Sequence, residues 1–306
     1  MGSEMCIRDR FNIGGQGQAI AGATLAAWVG FNFHSLPLPV HLLFAVIAGF
    51  IGGAIWGGIA GILKARAGAN EVIVTIMLNY IAGGLLAWLL TTKAFQMPGR
   101  TDPIAPIVDW NATFPRMAGS QLHLGFFLAL LLAVGTWWLL DRTPLGFQIR
   151  AVGSNPNASA TAGMNTNSII AWTMIISGGL AGMAGVEVAL GPISGATPTQ
   201  LSIGLVGTIG FDAITVALLG RSKPLGIVLA GLFWGAMNQG GLRMQAMTQT
   251  SLDLVRVIQA VIVMFVAAPM LVKTILPFLK TRREKRTKKR DRGPVPADTT
   301  TKGALA

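Results

Sequence analysis

The 306-residue sequence is short of charge: Asp, Glu, Lys and Arg together make up only 12% of it. Soluble domains cover their apolar mass with roughly twice that share, so a soluble enzyme is excluded. The single cysteine excludes an internal disulfide framework. Histidine is scarce as well. His34, His41 and His123 are scattered, there is no H-E-x-x-H and no Cys/His cluster, and neither a metal nor a cofactor is expected. The sequence has no G-x-x-x-x-G-K-[ST], so it does not bind ATP through a P-loop. No catalytic residues are assigned, and the chain reads as a non-enzyme.

Apolar residues are abundant: AVILMFWYC reach 52% and the mean hydropathy is +0.58. Together these indicate an all-α, polytopic transmembrane helical bundle. Eight spans are expected, at 16–33, 40–63, 72–92, 122–140, 169–190, 204–220, 224–241 and 252–274. The sixth is short, and with 193–203 it reads as a broken or re-entrant element.

Residues 1–10, MGSEMCIRDR, are polar and end abruptly at an apolar run. They read as a non-native leader joined to a truncated frame, with further helices expected upstream. A membrane-spanning apolar region runs over 11–279. A basic tail, 280–306, is expected to be cytoplasmic and disordered. Nine of the 24 Lys and Arg residues fall between Lys280 and Arg292. A basic run after a hydrophobic span sets topology rather than binding nucleic acid. Lys64, Arg66, Arg142, Arg150, Arg221 and Lys223 fall in loops on the same side as this tail. The opposite side has Lys93, Arg100, Arg116 and Arg243, and the loop 93–121 is long enough for a plug or docking surface. The count predicts a multi-pass membrane protein with its C-terminus in the cytoplasm.

Glycines recur every four residues at Gly49, Gly53, Gly57 and Gly61, with the same spacing at Gly178–Gly182 and Gly231–Gly235. Small-xxx-small stripes let helix backbones approach closely in lipid. Packing is the preferred reading, and a smooth pore lining is the alternative.

Glu187 and Asp212 read as intramembrane carboxylates. Buried charge is costly in a bilayer and marks a path or a partner. Glu187 is placed near the outer end of its span, while Asp212 reads as the cap of a broken helix. Two separated carboxylates make a poor proton relay, so the driving energy is expected from elsewhere. The neutral polar groups suit a neutral solute better. Asn12, Gln16 and Gln18 fall in F-N-I-G-G-Q-G-Q, Asn79 and Tyr80 in M-L-N-Y, and Asn238 and Gln239 near the end of the seventh span. Amides offer donors and acceptors without a buried charge, and Tyr80, the only tyrosine, can stack and hydrogen-bond at once. As a set, and with Glu187, these residues read as a polar substrate path. Taken singly, each amide reads rather as a helix–helix bond.

The segment 141–168 is polar and rich in turn formers. Residues 142–146 read as a turn. Asn155 is placed as an N-cap, Pro156 at the first helical position, and Gly163 at the close of a short helix. With Gly153, Ala158 and Ala160, these residues read as a peg on the inner face that couples the chain to a cytoplasmic partner.

Taken together, these segments resemble the membrane subunits of bacterial ABC importers of the branched-chain amino acid, ribose and nucleoside permease superfamily. N-E-V-I-V-T-I-M-L-N-Y-I-A at 70–82 looks like the simple-sugar and nucleoside branch. N-I-G-G-Q-G-Q is similar to that branch's N-I-G-x-E-G-Q, with Gln16 where Glu is usual. R-A-V-G-S-N-P at 150–156 resembles the coupling-helix region, and A-L-L-G-R-S-K-P-L-G at 217–226 matches an inner turn between late helices. The resemblance implies import of nucleosides or simple sugars, powered by partner ATP-binding subunits. It also implies a second permease subunit, homologous or identical, an extracytoplasmic solute-binding protein and surrounding lipid. The alternative is an ion-coupled secondary transporter for a small polar solute.

Overall fold

Residues able to cap a helix set where the helices start and stop. A computed structural model describes residues 12–34, 36–117, 122–192, 197–248, 251 and 253–267. The leader 1–10 and the tail 280–306 lie outside them. The chain divides into two compact units, 1–239 and 240–306.

In the first unit, α1 (Gly15–Asn32) is followed by α2 (Leu38–Ala67), which opens after Pro37 and stops at Gly68 in the left-handed region, φ 62°. Asn70 caps α3 (Glu71–Leu89) by accepting from the Val72 N–H at 3.0 Å. Next come β1 (Ile104–Ile107), a 3-10 turn at Trp110–Ala112 and α4 (Leu124–Arg142). Then follow α5 (Pro144–Ser154), α6 (Pro156–Thr161), α7 (Thr166–Leu190), β2 (Gln200–Ser202), α8 (Ile209–Leu219) and the start of α9 (Pro224–Thr248). α10 (Asp253–Ala267) belongs to the second unit. There Gly241 lies against Val255, and Arg256 pairs with Asp253 at 3.3 Å.

Five helices among the described residues are long and apolar enough to cross a membrane: α2, α3, α4, α7 and α9. The first expected span is α1, and its pair of glutamines keeps it below that threshold. The sixth shortens to α8, 11 residues and so roughly 16 Å long. Residues 142–146 form no free turn. Thr143 caps α5, accepting from the Gly146 N–H at 3.1 Å, and Pro144 stands at the first helical position, where its missing N–H goes unused. Of the three histidines, His41 is fully buried, with Nε2 3.0 Å from the Val29 carbonyl.

The central helix is α1, which is less apolar than α2, α3, α4 and α7. Thirteen of the 18 residues of α1 are buried, and α2, α3, α7 and α8 all pack on it. Alanine and glycine dominate its length, so neighbours can close in from every side. At one end, the connection between α3 and α4 folds over α1 and α7. β1 pairs antiparallel with β2, the Asp109 N–H donates to the Gly30 carbonyl at 2.9 Å, and the Phe114 N–H donates to Leu190 at 3.0 Å. Buried Val108, Phe114, Leu190 and Leu201 form the core there. The α2–α3 turn and the α5–α6 pair occupy the opposite end, with Lys64, Arg66, Arg142 and Arg150.

The glycine stripe of α2 packs against α7. Gly57 and Gly61 face Met174, while Gly49 and Gly53 face Gly178, Gly182 and Val186. A Cβ at Gly53 would drive into the Gly178 carbonyl, so this stripe is a helix interface and not a pore wall. Gly231 and Gly235 make no such close approach. Gly53→Ala is therefore expected to destabilise the protein by about 1–3 kcal/mol, the usual range for overpacking, lowering Tm by about 2–12 °C. Gly135→Ala, which meets open space on α4, should not lower Tm in a detergent melting assay, because Ala favours a helix interior over Gly by about 1 kcal/mol.

Candidate functional site

The polar residues expected along a path fall into three groups. The first is a buried amide cluster where α1 begins. Asn12 Nδ2 donates to Gln18 Oε1 at 2.8 Å and to the Ser177 hydroxyl at 2.9 Å, and Gln18 Nε2 donates back to Asn12 Oδ1 at 3.2 Å. Gln18 is only 1% exposed. Asn79 reaches across from α3. Its Oδ1 accepts from the Gly17 N–H at 2.8 Å, and its Nδ2 donates to the Ile13 carbonyl at 2.9 Å. Gln16 reaches the break before α8, donating to Gly207 O at 2.6 Å and accepting from the Gly210 N–H at 2.8 Å.

These bonds have one physical cause. The first turn of a helix has N–H groups without partners inside the helix, and water is not at hand within a packed bundle. Asn12 therefore accepts from Gly14, Asn79 from Gly17 and Gln16 from Gly210. Asn79 and Gln16 are caps supplied from another helix. An amide suits this work because its free –NH2 also satisfies a carbonyl nearby.

The second group lies on exposed faces of this chain. Tyr80 is 75% exposed, on the side of α3 opposite buried Thr75, Asn79, Ala82 and Leu86. Gly83 and Gly84 beside it meet nothing within 4 Å. Asn238 and Gln239 are exposed on α9. The third is Glu187, at the far end of α7. Its carboxylate covers Gly125 in the first turn of α4, and Oε1 lies 3.4 Å from His123 Nδ1. Burial, then the charge of Arg116, lowers the pKa of His123. Asp212 is not the N-cap of α8. Thr208 takes that position, and its hydroxyl donates to Asp212 one turn later at 3.3 Å.

The segment expected to couple forms two helices. Asn155 caps α6, accepting from the N–H groups of Asn157 and Ala158, both at 3.1 Å. Pro156 begins it. Gly163 ends it at φ 84°: its N–H donates to Ala160 O and the Met164 N–H to Ser159 O, each at 3.0 Å. Ser159 turns inward, while Ala158, Ala160 and Gly163 are exposed, as is Gly153 near the end of α5. Behind α5 is a cavity of about 300 Å³, lined by Asn12, Glu71, Val152, Gly153, Thr173 and Ser177 among others. It places α5 beside the amide cluster.

Ser177 and Trp56 were not legible as site residues. Ser177 completes the Asn12 network, and Trp56 Nε1 donates to Leu78 O at 3.3 Å. The one signal for Ser177 is its place directly before a close-packing glycine. Among the described residues no group of His, Cys, Asp and Glu could hold a metal ion.

Asn79→Leu removes both a cap and a donor. It is expected to destabilise the bundle by about 1–3 kcal/mol per buried group left unpaired, measured by thermal unfolding in detergent, whereas Tyr80→Phe should melt as the parent does.

Known permeases resemble this chain over most of its length. The profile for the branched-chain amino acid transport system permease component matches residues 2–267. The guanosine ABC transporter permease protein NupP of Bacillus subtilis (strain 168) is 38% identical over 274 residues, 89% of this chain and 77% of the relative. The nucleoside ABC transporter permease protein NupB of Lactococcus lactis subsp. cremoris is 34% identical over 281 residues, 88% of this chain and 75% of the relative. The glucose ABC transporter permease protein TsgB13 of Haloferax volcanii is 30% identical over 267 residues, 83% and 68% of the two chains. No solved structure matches. A family of this kind implies an ATP-binding subunit and a solute-binding protein as partners. A bundle of apolar helices closed by amides, matched by this profile over most of its length, belongs to the branched-chain amino acid transport permease family and is a multi-pass, non-enzymatic membrane subunit of an ABC transporter.

Proposed function

We propose that this permease moves nucleosides, or a closely related simple sugar, into the cell. The observation that carries this reading is likeness over nearly nine tenths of the chain to relatives named as guanosine and nucleoside permeases. The chain forms half of the path, and a second permease subunit, homologous or identical, forms the other half. Tyr80 supports this pairing: a phenol facing hydrocarbon would lack a partner for its hydroxyl, while a neighbouring subunit or a water-filled path supplies one. Asn238 and Gln239 face the same path from α9. Asn12, Gln16, Gln18 and Asn79 act on it by fixing the helices that form its wall, and Glu187 acts at the outer mouth.

α5 and α6 receive the stroke of the ATP-binding subunit. The capped, exposed face of α6 around Ala158, Ala160 and Gly163 supports that assignment, as does the contact of α5 with α4 and α7. On this reading the α5–α6 end, with its basic residues, faces the cytoplasm of the bacterial inner membrane, and the C-terminus lies on the same side.

The direct test is uptake of radiolabelled guanosine into liposomes holding the whole importer, with no ion gradient. Uptake should require ATP and be competed by unlabelled nucleosides. Uptake that needs no nucleotide would overturn the reading, and competition by glucose but not by nucleosides would move it to sugars. Replacing residues 155–163 by a Gly/Ser linker should abolish the stimulation of ATP hydrolysis by loaded binding protein while membrane insertion continues. Stimulation that persists would remove α6 from the coupling path.

A further inference from the structure

One side chain holds the break before α8. Gln16 donates to Gly207 O at 2.6 Å and accepts from the Gly210 N–H at 2.8 Å, so its amide grips the backbone on both sides of the N-cap Thr208. Beyond this grip α8 is lightly held. Gly210 is its one fully buried residue, and its backbone lies directly on Gln16. Just upstream, Gly204 and Gly207 take φ 85° and 53°, which side chains rarely adopt, with no close neighbour around them. A short helix, a pair of glycine hinges before it and a single amide at the joint leave its N-terminal end held by Gln16, while its other end, at Gly220, packs on Gly226 and Ile227.

We propose that Gln16 is a positioning residue: its amide sets the angle at which α8 leaves the bundle, and transport requires that grip. The inference rests on the transport reading above. Its chemical content is that the grip needs a donor and an acceptor on one side chain. An ionised carboxylate offers acceptors alone and sets a negative charge against the Gly207 carbonyl, whereas a protonated carboxyl, the form in which the Glu usual at this place in the resembled branch would keep the grip, regains the donor. A thioether supplies neither. A residue that merely fills space would not distinguish these three.

The test uses the complete importer in liposomes, in a Cys6→Ser, Thr208→Cys background. The probe is a water-soluble methanethiosulfonate reagent, and each rate is taken relative to the Gln16 parent at the same pH. That ratio removes the pH dependence that the variants share with the parent, and Asp212 is the acid in the first turn of α8. Gln16→Met should raise labelling about tenfold at every pH, the scale set by loss of a buried hydrogen bond. Gln16→Glu should match that rise at about pH 9 and fall back to within about threefold of the parent near pH 5.5, where the carboxyl is protonated. ATP-driven guanosine uptake should follow the inverse course. Parent-like labelling in both variants would overturn the proposal, and so would a rise in Gln16→Glu equal at both extremes of pH. Failure of both variants to insert would assign Gln16 to assembly and overturn it too. Labelling that follows pH as stated, in an importer that takes up no guanosine, would sustain the grip and overturn the nucleoside reading instead.

Discussion

A helix that begins inside a protein bundle has donors that water cannot reach. That constraint organises the centre of this permease. The Gly17 N–H of α1 and the Gly210 N–H of α8 both point into packed surroundings, and each is answered by an amide from another helix. Leaving such a group unpaired costs several kcal/mol in hydrocarbon. The caps therefore do more than decorate helix ends. They tie α3 to α1 and α1 to α8, so that one helix cannot shift without unsatisfying a neighbour's backbone.

The caps work because the backbones are close. Side-chain amides reach only a few ångströms, and they meet main-chain donors here because glycine and alanine fill α1 and the facing stripes of α2 and α7. Gly53 against Gly178 is the clearest case, where even a methyl group has no room. Leucine at these positions would gain little, since lipid is as apolar as leucine. Close packing gains dispersion contacts and brings the polar groups of α1 within reach of Asn79 and Ser177. The small residues and the amides are thus one design: the first sets the spacing and the second exploits it.

Much of this was legible in the sequence, and the parts that were not share a reason. The glycine repeat of α2, the Asn155-Pro156 start of α6 and the Gly163 stop are local patterns, and local physics governs them. The bundle class follows from composition. α5 was hidden because Thr143-Pro144 reads equally as a turn or as a capped helix start, and only the seating of Gly146 under the last carbonyls of α4 decides between them. α1 looks like the weakest span yet is the most enclosed helix, because hydropathy measures fitness for lipid and α1 is surrounded by protein. His41 illustrates the same limit: its burial against the Val29 carbonyl depends on a partner on another helix. The amides were found by type, but what each one bonds depends on tertiary placement. Neighbours in sequence part company for that reason: Asn79 faces α1 while Tyr80 faces away.

The chemistry of the centre also bears on where force enters. The bonded network of the amide cluster consists of amides, a hydroxyl and backbone groups, none of which titrates near neutral pH. Glu187 lies at the other end of α7 beside His123, and Asp212 sits in the first turn of α8 with Thr208. Such a centre can be moved but not protonated into a new state, which suits a protein driven from outside by ATP hydrolysis. The route for that drive is short. α6 is packed on α5 and α7, and α5 lines the same cavity as Asn12 and Ser177. A displacement of α5 into or out of that cavity would press directly on Asn12, whose amide holds Gln18. In the proposed mechanism, then, the stroke crosses a single layer of side chains before it reaches the network that positions α1, and through Gln16 it reaches α8.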